Sequence, residues 1–104
     1  MENMSWADKF RHAGEEWTDK EAAAQLLEDM KSVVMAQKQA ALGDIPVNRA
    51  EQIVKASPDW SDYINKCVEA RREANVALGT LQYLQMKYGE WQSSEANNRA
   101  ESRL

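Results

Sequence analysis

Few side chains in this chain could do chemistry, and their spacing limits what each could do. His12 is the single histidine and Cys67 the single cysteine. No serine or cysteine stands at a spacing that would pair with His12 as nucleophile and base, so no nucleophile, base and orienting group assemble around it. His12 reads as a surface side chain. Cys67 falls on an apolar stripe, where a free cysteine behaves as a small hydrophobe. Lys66 beside it and Arg71 one turn on would lower its pKa only if the thiol were accessible. One cysteine permits neither an internal disulfide nor a multi-cysteine metal site, and it suits a reducing compartment. The carboxylates Glu15, Glu16, Asp19, Glu21, Glu28 and Asp29 lack the histidine support or the oxygen-rich loop that a cation requires. Gly14, Gly43, Gly79 and Gly89 are isolated, so no phosphate-binding loop is present. These residues predict a non-enzyme with no metal and no cofactor.

What remains is aromatic. Tyr83, Tyr88 and Trp91 cluster near the C-terminus beside Lys87, and Trp6 and Phe10 stand one helical turn apart near the N-terminus. Large apolar groups at this spacing are how a short helix fills a groove. Tyr83, Tyr88 and Trp91 with Lys87 would also suit stacking on single-stranded bases. Arg71, Arg72, Lys87, Arg99 and Arg103 alternate with Glu69, Glu73, Glu90, Glu95 and Glu101, however, and such mixing marks a solvated helix face rather than a phosphate track.

Four segments position these residues. Residues 1–17 form an amphipathic arm with Trp6, Phe10 and Ala13 at helical spacing, Ser5 as cap and Gly14 as stop. Thr18 and Glu21 fit a capping box, which starts a first long helix over 18–42. Its stripe is Ala23, Leu27, Met30, Val34 and Ala41, with Leu26 and Val33 widening it. Gly43 is placed for a left-handed C-cap, and Pro46 opens a short connecting helix over 46–56. Ser57, Pro58 and Asp59 then cap and start a last helix over 58–100. In that helix Trp60, Ile64, Cys67, Ala74, Leu78, Leu81 and Tyr88 follow a seven-residue repeat, interrupted by Arg71 and Gln85. Trp60, Ile64, Leu27 and Val34 are the expected core. Gly79 is expected to allow close helix packing and Gly89 to permit a bend.

The expected fold is all-α: one domain forming an antiparallel helical hairpin, with a very long C-terminal helix, a short connecting helix and an N-terminal arm. At roughly 1.5 Å per residue the first long helix spans about 36 Å and the last about 60 Å, roughly 1.7 times as much. The surplus should project, carrying Leu81, Tyr83, Leu84, Tyr88 and Trp91, too many large apolar groups to leave in water. The arm, a second copy in a homodimer, or a different partner must cover them.

The chain has 104 residues, with 13 Lys+Arg against 17 Asp+Glu. This near balance predicts no general electrostatic grip on nucleic acid. No apolar run is long enough to cross a bilayer and the N-terminal stretch is too polar for a signal peptide, so a soluble cytoplasmic protein is expected.

Residues 68–104 carry Glu69-Ala70-Arg71, Ala74-Asn75, Tyr88-Gly89-Glu90-Trp91, Glu95-Ala96 and Arg99-Ala100-Glu101. In these features the segment resembles the C-terminal helix of small phage and prophage accessory proteins. The resemblance implies a phage protein acting in the host cytoplasm, encoded near recombination genes and inhibitors of host defence, and it implies no catalytic residue. Two functions follow as expectations. The first is a non-enzymatic protein-binding protein, an inhibitor of a host defence or nuclease complex in the manner of an anti-CRISPR protein. It would occlude a host or phage protein complex through Tyr83, Lys87, Tyr88 and Trp91, joined by Trp6 and Phe10. The second is a recombination accessory, either a coiled-coil adaptor or a weak single-stranded nucleic-acid binder.

Overall fold

The computed structural model describes residues 4–103. All its regular structure is helical: α1 (Trp6–Asp29), α2 (Lys31–Ala41), α3 (Val47–Lys55) and α4 (Pro58–Ser102). The molecule is a rod of 83 × 19 × 17 Å.

The first helix starts earlier than the capping box predicts. Ser5 accepts from the Asp8 amide (3.1 Å), and α1 then runs unbroken through Gly14 and Thr18. The hydroxyl of Thr18 donates back to the Gly14 carbonyl (2.8 Å) instead of capping, and Glu21 turns to Arg71 on α4. Gly14 does not stop the helix. A mid-helix glycine costs about 1 kcal/mol, less than is gained by burying the stripe that continues through Ala13 to Ala24. The proposed boundary between an arm at 1–17 and a helix at 18–42 is therefore absent.

Between Trp6 and Ala41 the helix lapses at one residue, Met30. Such lapses have local causes, one of which is a side chain entering the hydrogen-bond ladder. Here the Tyr63 hydroxyl of α4 donates to the Leu27 carbonyl (2.5 Å), the group that an unbroken helix would offer to the Lys31 amide. The chain bends there, and α2 continues toward α3.

Gly43, at φ 84°, ends α2 in the left-handed conformation expected of a glycine C-cap. Ser57 works twice at the last turn, donating to the Val54 carbonyl (2.6 Å) and accepting from the Trp60 amide (3.2 Å). Pro58 fills the first position of α4. Gly79 and Gly89 lie within that helix without ending it. A Cβ at Gly79 would meet no neighbouring atom, so close packing does not explain it.

α1 and α4 lie side by side, and the order of their contacts gives their direction. Trp6 meets Tyr88, Lys20 meets Glu73 (3.4 Å) and Leu27 meets Tyr63. One sequence number rises as the other falls. The inward stripe of α1 reads Trp6, Phe10, Ala13, Trp17, Lys20, Ala24 and Leu27. That of α4 reads Trp60, Tyr63, Cys67, Ala70, Ala74, Ala77, Leu81, Leu84 and Tyr88. Both alternate steps of three and four, the spacing of helices paired along a seam. Among the described residues seven apolar residues are buried and five are alanines; four of these, Ala13, Ala24, Ala74 and Ala77, lie on this seam, and small residues let the backbones approach closely. Of the expected stripe, Leu27 and Val34 are half-buried, whereas Ala23, Leu26, Met30, Val33 and Ala41 are exposed, because the bend and the pairing axis select Ala24 beside Leu27.

At one end of the rod α2, α3 and the start of α4 close on Trp60, which is 8% exposed, together with Ala50 and Val54. Tyr63 stacks on Trp60 at 5.7 Å between ring centroids. Leu27, Val34 and Ile64 are half-buried, a thinner core than their positions predict. At the other end, α1 extends as far as Tyr88 and Trp91, so the expected apolar overhang is not found. Only the polar stretch from Gln92 to Ser102 continues past the start of α1.

Candidate protein-binding site

The Ser5 cap fixes the first turn of α1 and thereby places Trp6 and Phe10 on the face toward α4. On α4, Tyr88 stands two heptads after Ala74 and Trp91 three residues further on, both on the seam. Four rings meet here. Trp6 lies 5.4 Å from Tyr88 and 6.2 Å from Trp91, and Phe10 lies 5.6 Å from Tyr88 in an edge-to-face arrangement. Tyr88 and Trp91 stack at 5.8 Å. These spacings suit offset and edge-on aromatic pairs.

The cluster closes the helix pair without being sealed. Trp6, Phe10 and Tyr88 are half-buried, while Trp91 remains 45% exposed and Tyr83, just outside the cluster, 53%. Lys9 sits over the Trp6 ring at 4.5 Å and Lys87 over Tyr83 at 5.6 Å, within range of cation–π attraction. Lys87 also reaches Glu90 at 3.3 Å. That hydrogen bond, helped by the carboxylate charge, raises the Lys87 pKa above its ordinary value. Of the residues singled out in sequence, Trp6, Phe10, Tyr88 and Trp91 thus form one cluster, and the exposed Tyr83 and half-buried Lys87 a separate pair.

Two features were not anticipated. Next to the cluster a groove of about 320 Å³ opens between the helices, lined by Met4, Lys9, His12, Ala13 and Glu16 on one side and Ala77, Thr80 and Leu84 on the other. Midway along the rod, Arg71 bonds Glu21 (2.6 Å) and both oxygens of Glu28 (3.1 and 2.5 Å). The planar guanidinium serves two carboxylates at once. Its hydrogen bond holds Glu28 below the ordinary carboxylate pKa, partly opposed by desolvation, and Arg71 itself is raised. The signal was present in sequence, since Glu21 and Glu28 stand one heptad apart, opposite the stripe that Arg71 interrupts.

Cys67 lies half-buried with its thiol 3.9 Å from the Leu27 carbonyl. Burial, followed by the neighbouring Cys67, pushes the Tyr63 hydroxyl above its usual pKa. Among the described residues no group of three His, Cys, Asp or Glu side chains is placed to hold a metal ion, and no helix is long and apolar enough to cross a membrane. Compared with protein-family models, curated proteins and solved structures, the chain matches none.

Proposed function

We propose that this chain is a non-enzymatic protein-binding protein that docks through the aromatic end of an antiparallel helical hairpin. One observation carries this reading: four clustered rings at one end leave Trp91 and Tyr83 about half exposed beside Lys87. Exposed aromatics held rigidly by their neighbours bind at low entropic cost and commonly dominate interface energy. The resemblance of residues 68–104 to phage accessory proteins directs the search for the partner to host defence or nuclease complexes in the cytoplasm, with occlusion as the mode of action. The recombination-accessory reading has less support as a nucleic-acid binder, because Lys87 is engaged by Glu90 and the surrounding charges alternate.

The test uses Tyr83→Ala/Lys87→Glu, which alters the exposed side of the site and spares the rings that close the helix pair. Intact protein is expected to capture a stoichiometric partner from host lysate that the variant loses, with capture surviving 0.5 M salt. Capture of nucleic acid that falls steeply with salt, or an unchanged partner on the variant, would overturn the proposal.

A further inference from the structure

We infer that a second copy of this chain covers the back of α4, the side turned away from α1, and that the two α4 helices pair there as an antiparallel coiled coil. The face belongs to one unbroken helix, Pro58–Ser102. At 3.6 residues per turn, a step of two residues is about 200° round the helix. Each seam residue of α4 is thus followed, on the opposite side, by a member of a second stripe: Ala70 by Arg72, Ala74 by Val76, Ala77 by Gly79, Leu81 by Tyr83, Leu84 by Met86 and Tyr88 by Glu90.

All six residues of this second stripe are exposed. They keep the alternating steps of four and three along which helices pair. At the centre Val76 is 59%, Tyr83 53% and Met86 55% exposed, a row of large apolar groups with no other described element of the chain against it. Arg72 and Glu90 stand at its ends. Their partners within the chain, Glu69 and Lys87, are neighbours three residues away on the same helix, both at 3.3 Å. Such pairs are worth little at a surface, so both charges are free to take a further partner.

The order of residues along the stripe selects a second copy over an unrelated partner. A two-fold axis level with residue 81 brings together residues that lie equally far on either side of it. Gly79 and Tyr83 lie two residues away, Val76 and Met86 five, and Arg72 and Glu90 nine. Across the axis each Tyr83 ring therefore faces the other copy's small Gly79, each Met86 faces Val76, and each Arg72 faces Glu90. Sixteen residues out, the exposed Asn65 meets Asn97, a polar pair of the kind that fixes register in coiled coils. Along one flank Glu73 comes beside the other copy's Lys87. Sliding one heptad either way would set Met86 against Glu69 or Val76 against Ser93, so this register is the one that matches apolar to apolar and each charge to its opposite. A stripe whose two halves complement each other is what an isologous dimer requires. The inference deepens the reading above and rests on it for the exposed Tyr83: self-association covers that ring, so a partner docking there competes with the second copy.

The experiment is sedimentation equilibrium of the full chain beside Met86→Lys, Arg72→Glu and Arg72→Glu/Glu90→Arg, with circular dichroism to show that each variant stays helical. The intact chain should show twice 11.8 kDa. Met86→Lys removes an apolar anchor from two symmetric layers and should weaken self-association about 100-fold or more. Arg72→Glu sets like charges against each other and should weaken it about 10-fold, and the swapped double variant should recover it. A monomeric intact chain, a dimer untouched by Met86→Lys, or a double variant no better than Arg72→Glu would each overturn the inference. Capture from host lysate separates this outcome from the docking reading, because Met86→Lys leaves Tyr83 and Lys87 in place. An intact chain that captures a partner yet never dimerises overturns the second copy alone, and a dimer that captures nothing, either intact or as Met86→Lys, overturns the docking alone.

Discussion

Arg71 interrupts an apolar stripe and in doing so fastens α1 to α4. The sign of its pH effect follows from Glu28, whose folded pKa lies below the unfolded value of 4.5. The folded state takes up that proton less readily, so the stabilisation is fully present above pH 4.5 and is lost as pH falls through the folded pKa. Acid titration of thermal stability should therefore show a decline below pH 4.5 that Arg71→Met flattens, together with a lower Tm for the variant at neutral pH. A decline of equal steepness in the variant would assign it to other carboxylates. Glycine gives a prediction of opposite sign. Gly79 lies inside α4 with open space where a Cβ would stand, so Gly79→Ala should raise stability by about 0.5–1 kcal/mol in urea denaturation. Destabilisation would show that this position needs the absence of a side chain.

Among the elements, α4 was the most legible, because Ser57, Pro58 and a sustained heptad leave few alternatives, and its observed span departs from expectation by two residues. α1 was misread for a physical reason. The Thr18–Glu21 capping signature and Gly14 are local cues, and both yield to tertiary demands: Glu21 finds a better partner in Arg71, and the Trp6–Phe10–Ala13 stripe is worth more paired with α4 than as a separate arm. The bend at Met30 was not legible, since its cause is Tyr63, 36 residues from Leu27 in sequence. Tyr63→Phe removes the competing hydroxyl. Hydrogen exchange at the Lys31 amide should then slow as the bond to Leu27 re-forms, and unchanged exchange would mean that the bend has another origin. Trp60 holds the opposite end of the rod, and Trp60→Ala should cost about 3–5 kcal/mol, read by urea denaturation.

At the scale of the whole molecule, shape was the property least visible in sequence. Stripe lengths estimated separately for each helix suggested a hairpin whose overhang the arm, a second copy or a partner must cover. Joining the arm to the first helix instead gives a 24-residue α1 that pairs with the 45-residue α4 as far as Trp91. The radius of gyration of 23.1 Å, against about 13 Å for a compact domain of this size, records how little of the surface that closure hides. The aromatic residues of the candidate site were legible as types and as spacing. Their contacts with one another were not, because they depend on the register between α1 and α4. That register is the central claim, and ring-to-ring nuclear Overhauser effects test it most directly. Strong cross-peaks between the Trp6 indole and the Tyr88 ring protons are predicted, as their centroids lie 5.4 Å apart. A Trp6 spectrum with solvent-like shifts and no such cross-peaks would contradict the pairing and the site built on it.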